Sequence, residues 1–423
     1  DEILRRIKAS VAKTGADISV IEIGGTAGEY QNTIFFEAAR ILKLRHPDDV
    51  VFVLVSYLPI PSKLGEMKTK PTQYAVRTLN SYGLHPDVIV ARAERPLDDK
   101  RKEKLSFASN VSVEHIISAP DIESIYEVPL NFERDGLSDT LLHLLKLKPK
   151  QTDLKDWRLA VKRLLEAKQE VKIGLIGKYF KTGDFVLADV YISVIEALKH
   201  AAAKLGLKPK IIWLDSTEFE GDKKKLLELK NYDGLLVPGG FGARGIEGKM
   251  AAINYARENK IPYFGLCYGL QLAVIEYARS VLGLKGAQTR EIDPKTLAPV
   301  IDLMPEQAAK LEGKNYGGTM RLGSYAAKLK AGTLARTAYG TSEIVERHRH
   351  RYEVNPAYLA QLEAAGLVFS GRSPAGELVE IVELPTKVHP FFLATQFHPE
   401  FKSTLLNPHP LFLAFIKAAS GRK

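Results

Sequence analysis

The feature that most constrains this chain is the stretch from Ile261 to Ala278, IPYFGLCYGLQLAVIEYA. It opens as a short apolar run with two aromatic residues, the pattern of a buried strand. It continues with Leu270, Ala273, Val274 and Tyr277 at helical spacing. Between the halves stand Gly265, Cys267 and Gly269, a G-x-C-x-G pattern that is the thiol counterpart of the nucleophile elbow. A sharp strand-to-helix turn lifts a nucleophile clear of the sheet, and small neighbours let the backbone bend. The helix N-terminus favours a thiolate and supplies backbone N–H groups for an oxyanion. Cys267 is the only cysteine among 423 residues. A lone cysteine is also commonly a small buried hydrophobe, so the pattern needs a partner before it means chemistry.

A thiolate nucleophile needs a base, and the base needs an orienting group. His398, in ATQFHPEF, has Glu400 two residues on. Residues i and i+2 of a strand share a face, so Glu400 is expected to orient the His398 ring if the strand extends that far. The His-Pro dipeptide itself says little, because it occurs five times, at His46, His85, His389, His398 and His409. The strand end and the acidic neighbour single out His398. The loop PGGFGARG offers Gly239 and Gly240, whose backbone can approach a developing oxyanion closely.

A chain of this length predicts two or three domains. The net charge of +10 comes from scattered lysines, without the aromatic-interleaved basic stripe of a nucleic-acid binder. Anionic small substrates such as nucleotides suit it better. Lys223, Lys224 and Lys225 read as a solvated helix face. One cysteine excludes an intramolecular disulfide framework and fits a reducing compartment. No apolar run reaches membrane-spanning length and no signal peptide is apparent, so a cytoplasmic location is expected. The chain opens at Asp1 with DEILRRIKASVAKTG, an amphipathic helix that reads as the middle of a domain; an N-terminal truncation is therefore expected.

Residues 17–28, DISVIEIGGTAG, predict a buried strand feeding a glycine-rich turn. A helix over Thr33 to Lys43 and a strand over 50–58 follow. A lysine-rich loop then leads into a helix with Pro71 in its first turn, then the strand PDVIVARAE. VEHIISAPDIESIYEVPL predicts a strand and a short helix. Alternation of strand and helix predicts a parallel sheet with crossover helices. The polar, helical text of 149–170 reads as a linker between domains at 1–148 and 171–423. In the second domain VKIGLIGKY, KPKIIWLDS and YDGLLVPGG predict further strands. LVEIVEL and FFLATQF alternate as antiparallel strands do.

PGGFGARGIEGK, GLCYGLQLAVIEYAR, PVIDLMPEQ, GGTMRLG, ERHRHRYEVN and QFHPEF, in that order, resemble the class I glutamine amidotransferase domain of the CTP synthase family. EIGGTAGE, GEMKTKPTQ, ARAERP and IYEVPL resemble that family's amidoligase domain, so the resemblance covers essentially the whole chain. ERHRHRYEVN and KTKPTQ are highly specific; G-x-C-x-G and H-P-E alone would indicate only a glutamine amidotransferase. The implied fold is α/β in two domains. One is a partial P-loop-type parallel-sheet amidoligase (synthetase) domain, and the other is a flavodoxin-like class I glutamine amidotransferase domain.

The resemblance implies a ligase that makes CTP from UTP, ATP and glutamine. Cys267 would form a γ-glutamyl thioester, His398 would act as base and acid, and Glu400 would orient it. Gly240 and the amide following Cys267 would hold the oxyanion. Tyr268, Gly269, Leu270, Gln271, Glu291 and Arg351 match positions that contact glutamine, an arginine forking onto a carboxylate being sound chemistry. Tyr268 departs from the smaller aliphatic residue the family leads one to expect. Glu22 matches a magnesium-binding carboxylate. Lys68, Thr69, Lys70, Pro71, Thr72, Gln73 and Lys104 match or border positions that contact UTP or CTP. Glu29, Tyr30 and Gln31 match a CTP-feedback segment but lack its acidic pattern. The resemblance further implies Mg2+, ATP as co-substrate, GTP as allosteric activator and a homo-oligomer, dimer or tetramer. Neither nucleic acid nor membrane is an expected partner. The family's opening strand, its phosphate-binding loop with a lysine and a further magnesium-binding aspartate are not in these residues. The expected synthetase activity of this chain is therefore doubtful, with a glutaminase, or a nucleotide-binding regulatory or scaffold subunit, as alternatives.

Overall fold

In a computed structural model, the described residues are 1–63, 65–149, 153–178, 181–182, 185–186, 191–303 and 320–421. They separate into two units, Asp1–Arg158 and Leu159–Lys423. The first carries α1 (Glu2–Thr14), α2 (Thr33–Arg45), β1 (Val53–Tyr57), α3 (Lys70–Ser81), β2 (Val88–Ala93), α4 (Asp99–Ser109) and β3 (Ile116–Pro120). Short helices α5 (Val128–Arg134) and α6 (Leu137–Leu144) follow, and α7 (Lys155–Glu166) spans the division. The strands form a parallel sheet in the order β1-β2-β3. Central β2 is covered on both faces. Ile89 and Ala91 pack with Val76 and Leu105, while Val88 and Val90 pack with Ile117 and the α6 side chains Leu137 and Leu141. This is how apolar runs without alternation become parallel strands.

One expected element did not form. Residues 17–28 are neither a strand nor buried: Val20 is 95% exposed, and Ile18 and Ile21 are exposed too. A strand exists only where a neighbour takes up its ladder bonds, and among the described residues none pairs with this segment. Its loop closes locally instead. Glu29 Oε1 accepts the Thr26 N–H at 2.7 Å, and Asn32 Nδ2 donates to the Gly24 carbonyl at 2.6 Å.

The second unit begins with β4 (Glu170–Gly177), the two-residue pair β5 (Lys181–Thr182) and β6 (Phe185–Val186), α8 (Ile192–Lys204), β7 (Lys208–Asp215) and α9 (Lys223–Glu228). Next come β8 (Gly234–Val237), α10 (Ile246–Glu258), β9 (Tyr263–Leu266), α11 (Tyr268–Ser280), β10 (Ala287–Thr289) and β11 (Ala298–Leu303). After residue 320 follow β12 (Arg321–Leu329), α12 (Leu334–Tyr339), β13 (Glu343–His350), β14 (Tyr352–Val354) and α13 (Leu359–Ala364). The unit ends with β15 (Val368–Arg372), β16 (Val379–Glu383), β17 (Phe392–Thr395) and α14 (Pro410–Ser420).

Nine of these strands form one mixed sheet in the order β13-β12-β15-β16-β17-β9-β8-β4-β7. The half from β17 to β7 is parallel, and the half from β13 to β17 is antiparallel. A small sheet of β10, β11 and β14 stands apart. Helix α11 is buried at every position from Tyr268 to Ala278. The antiparallel strands arise where LVEIVEL and FFLATQF predict them, but β16 is buried on both faces, with Glu380 and Glu383 inside. PVIDLMPEQ and GGTMRLG fall partly on 304–319, outside the described residues.

The parallel neighbours β17, β9 and β8 end together at Thr395, Leu266 and Val237. Three loops therefore leave one edge of the sheet side by side, the place where open α/β sheets hold their sites. Those loops carry His398, Cys267 and the glycines of PGGFGARG.

Candidate active site

Cys267 joins β9 to α11 with φ 50° and ψ −96°, a backbone that a residue with a Cβ rarely adopts. Two contacts hold it there. The Cys267 N–H donates to the Thr395 carbonyl at 2.6 Å, and Tyr263 Oη donates to the Gly269 carbonyl at 3.0 Å. The flanking glycines are dictated by space. A methyl at Gly265 would lie 2.6 Å from Tyr263 Oη, and one at Gly269 would lie 2.4 Å from the Val237 carbonyl oxygen. The G-x-C-x-G spacing is thus the packing condition for a helix starting hard against the sheet.

His398 Nδ1 lies 2.8 Å from Glu400 Oε1. The pair is not made by a strand, as the sequence led us to expect. β17 stops at Thr395, and His398 caps a 3₁₀ turn, Pro399–Lys402, whose curl brings the carboxylate back under the ring. With Nδ1 engaged by Glu400, Nε2 is left for Cys267. Burial alone would lower the His398 value; hydrogen bonds to Cys267 and Glu400 and their charges overcome this and raise it to about 10. Both neighbours therefore favour the protonated ring over the neutral one. The His398 N–H donates to the Arg347 carbonyl at 2.8 Å, and Gln396 Nε2 lies 3.7 Å from Cys267 Sγ. Gly239 closes the site from above: a methyl there would lie 2.8 Å from His398 Cε1 and 3.7 Å from Cys267 Cβ.

The loop after Gly239 is tied at three points. Tyr268 Oη donates to the Gly242 carbonyl at 3.1 Å, the Gly242 N–H donates to Glu291 Oε1 at 3.1 Å, and Lys178 Nζ donates to the Phe241 carbonyl. A methyl at Gly240 would meet Tyr268 at 3.7 Å and Lys249 Nζ at 3.9 Å, ordinary contacts that leave room for it. Arg351 joins β13 to β14, and its buried Nε has no hydrogen-bond partner among the described residues. Arg351 and Glu291 both act electrostatically on Tyr352, which places their charges in one neighbourhood. Gln271 is buried, and its amide nitrogen is committed to the Tyr352 carbonyl at 3.0 Å and Gln396 Oε1 at 3.3 Å, so only its oxygen is left to offer. Leu270 and Gly269 are buried in the first turn of α11.

The sequence did not announce Gln396, Thr395 or Lys249. Lys249 did leave a signal: it interrupts the apolar stripe Ile246, Met250, Ile253 on α10, and its side chain is fully buried.

In the first unit, Thr69 precedes α3, and its hydroxyl accepts from Gln73 Nε2 at 3.1 Å. Thr72 is buried on Ser56 at 2.8 Å, with Pro71 in the first helical turn. Lys68 pairs with Glu66 at 2.6 Å, and Arg101 and Lys104 act on the same carboxylate. Lys70 and Lys104 are exposed. KTKPTQ therefore begins a helix with basic groups at its N-terminal end, a disposition suited to anions. Glu29 spends both oxygens on its own loop, taking Gln31 as well as Thr26, while Tyr30 is exposed. Glu22 is exposed, and no group of three or more His, Cys, Asp or Glu among the described residues is placed to hold a metal ion. These residues do not by themselves make a magnesium site. No helix of the described residues is long and apolar enough to cross a membrane.

Comparison with known proteins accounts for both units. The family described as CTP synthase N-terminus matches residues 1–147, and that described as glutamine amidotransferase class-I matches residues 186–418. The match over 1–147 gives no support to the expected truncation of the first domain, nor to the doubt about synthetase activity built on it. A CTP synthase from Thermococcus gammatolerans is 50% identical over 409 residues, 96% of this chain and 74% of that protein. A CTP synthase from Pyrococcus furiosus is 50% identical over 425 residues, 100% of this chain and 76% of that protein. The solved glutaminase domain of CTPS from Trypanosoma brucei, with bound acivicin, is 39% identical at a TM-score of 0.55, covering 60% of this chain and 95% of its own. With a nucleophile elbow, a histidine–carboxylate pair and relatives of this identity along its length, the chain belongs to the CTP synthase family.

Proposed function

We propose that this chain catalyses ATP-dependent amination of UTP to CTP, with ammonia drawn from glutamine at Cys267. The observation that carries the glutamine half is the 2.8 Å His398–Glu400 pair beside Cys267, two groups that both favour the protonated ring. A protonated histidine beside a thiol favours the thiolate. Cys267 Sγ attacks the side-chain amide carbon, and negative charge gathers on the amide oxygen. The backbone N–H groups of Gly240 and Tyr268 are the donors assigned to it. The C–N bond then breaks, with the His398 proton leaving on ammonia. His398, now neutral, takes a proton from water as that water attacks the γ-glutamyl thioester, and glutamate departs. His398 thus acts first as acid and then as base. Arg351 would receive the glutamine α-carboxylate on its free donor edge, and Glu291 its α-ammonium.

In the first unit, Lys68, Lys70, Gln73 and Lys104 are assigned to the nucleotide triphosphate. ATP supplies activation of the uracil O4 as phosphate, and ammonia displaces that phosphate at C4. Magnesium would be held largely by nucleotide phosphates, with Glu22 as a protein contribution; GTP activation, a homo-oligomer and a cytoplasmic location complete the reading. Glutamate release and CTP formation by the purified chain test it. With Cys267→Ala, glutamine-dependent CTP formation should vanish while ammonia-dependent formation persists. Glutamate release without CTP would reduce the function to that of a glutaminase, and equal loss of both syntheses would refute two separate sites.

A further inference from the structure

We propose that Lys249 is a positioning residue for glutamine cleavage, its ammonium seated behind Gly240 and Tyr268 as electrostatic support for the oxyanion. The inference rests on the reading of Cys267 as the glutamine-cleaving nucleophile and deepens it.

Lys249 lies in the first turns of α10, directly after the glycine-rich loop. Gly248 presses this turn onto the preceding segment, because a methyl there would lie 1.8 Å from the Ser216 carbonyl oxygen. The Lys249 side chain has no exposed surface. Its Nζ has no hydrogen-bond partner among the described residues. It stands 5.7 Å from the centre of the Tyr268 ring and 3.9 Å from where a Gly240 Cβ would be. These are the two residues whose backbone N–H groups are assigned to the oxyanion. The ammonium thus neighbours both residues that carry the arms of the site.

A structural tie would look different. The loop is already tied by Tyr268, Glu291 and Lys178, and Lys249 bonds to none of it. A buried, unbonded amine costs folding free energy, so its presence calls for a return elsewhere. Burial, with repulsion from Lys178 and some relief from Asp215, pushes its value down to about 7. A negative charge appearing in front of Gly240 and Tyr268 would favour the ammonium, and the ammonium would favour that charge in turn. Its effect is confined to the tetrahedral state, since neutral glutamine offers it nothing in the ground state.

The test compares wild type with Lys249→Met in the full chain, by three readouts. Glutaminase kcat should fall about tenfold to a hundredfold, with KM for glutamine within about threefold. The thermal unfolding midpoint should hold or rise, because the methionine removes a buried amine and keeps the volume. Alkylation of Cys267 by iodoacetamide should keep its rate within about twofold, since displacement of iodide develops no carbonyl oxyanion. Lys249→Gln, also neutral, is read in the same assays if the methionine variant does not fold. An unchanged kcat in a folded neutral variant overturns the inference and leaves Cys267 untouched. A parallel fall in kcat and alkylation rate also overturns it, since Lys249 would then serve the thiol itself. If wild type and Cys267→Ala release glutamate alike, the underlying reading fails, and this inference with it.

Discussion

His398 and the pair His348 and His350 are all enclosed imidazoles of the second unit, and they are driven in opposite directions. His398 is raised to about 10, whereas burial, aided by Arg321, drives His348 down to about 2 and His350 down to about 3. Burial lowers a histidine in every case. What differs is the company. His398 faces a thiol and a carboxylate. His348 and His350 share their enclosure with the Arg321 guanidinium, which binds Glu380 at 2.7 Å and Glu353 at 3.3 Å.

His348 Nδ1 and His350 Nε2 lie 3.0 Å apart, so one donates and the other accepts. His350 Nδ1 faces Glu353 at 3.5 Å, and His348 Nε2 faces Glu380 at 3.5 Å. Burial, reinforced by Glu380, raises Glu353 well above the carboxylate range, and burial raises Glu380 against the pull of Arg321. Burial thus holds both imidazoles toward their neutral form and pushes both carboxylates toward theirs, with Arg321 pulling the carboxylates the other way. That cluster lies on the inward face of β13, while the carbonyls of Arg347 and Arg349 from the same strand approach His398 and Cys267. One strand therefore has a neutral, structural side chain set and a backbone turned toward the charged site.

The comparison can be broken or sharpened by substitution. Cys267→Ala should abolish glutamine hydrolysis, a fall of at least about a thousandfold in glutamate release, since no other thiol exists in the chain. Glu400→Gln keeps the shape and removes the anion; kcat for glutamine should fall about a hundredfold to ten-thousandfold, as when the orienting carboxylate of a triad is neutralised. Gly239→Ala brings a methyl to 2.8 Å from the His398 ring and should cost about tenfold to a hundredfold in kcat by displacing it. Arg321→Met leaves activity chemistry in place but strips two buried carboxylates of their cation. Urea unfolding should show a loss of about 3 to 5 kcal/mol.

The smallest effect concerns pH. His348 and His350 have folded values below the unfolded one, so their contribution to stability is full above about 6.5 and is lost as pH falls toward 3 and 2. His398 has the opposite sign, its contribution being full below about 6.5 and lost as pH rises through about 10. Glu353 and Glu380, raised in the fold, oppose the first trend. The expected reading is therefore a difference: His348→Gln should flatten the loss of stability between about pH 6 and 4 relative to wild type, measured by unfolding at each pH.

Much of the site was legible because its constraints are local. Gly265, Cys267 and Gly269 record a strand-to-helix turn that only small neighbours permit, and that requirement is written in consecutive residues. The His398–Glu400 partnership was legible as a spacing but not as a mechanism, since a proline-led 3₁₀ turn rather than a strand brings the carboxylate round. Residues 17–28 misled for the converse reason. Their apolar content is that of a strand, but strand formation depends on a neighbour that local sequence does not specify. Lys249, Arg321 and Glu380 were illegible because a charged residue on an apolar face looks like an error in a pattern until its surroundings are known. ERHRHRYEVN showed the same limit: it carried a resemblance, but which of its residues met Arg321 was decided by pairing with β12.

The account turns on His398 being a cation made by Cys267 and Glu400. Imidazole NMR signals followed from pH 5 to 10.5 test that directly, with His398 assigned by its loss in His398→Asn. The account predicts a ring protonated until near pH 10 in wild type, titrating lower in Cys267→Ala, while His348 and His350 stay neutral throughout. A His398 midpoint at or below 6.5, or one that Cys267→Ala leaves unmoved, would contradict it.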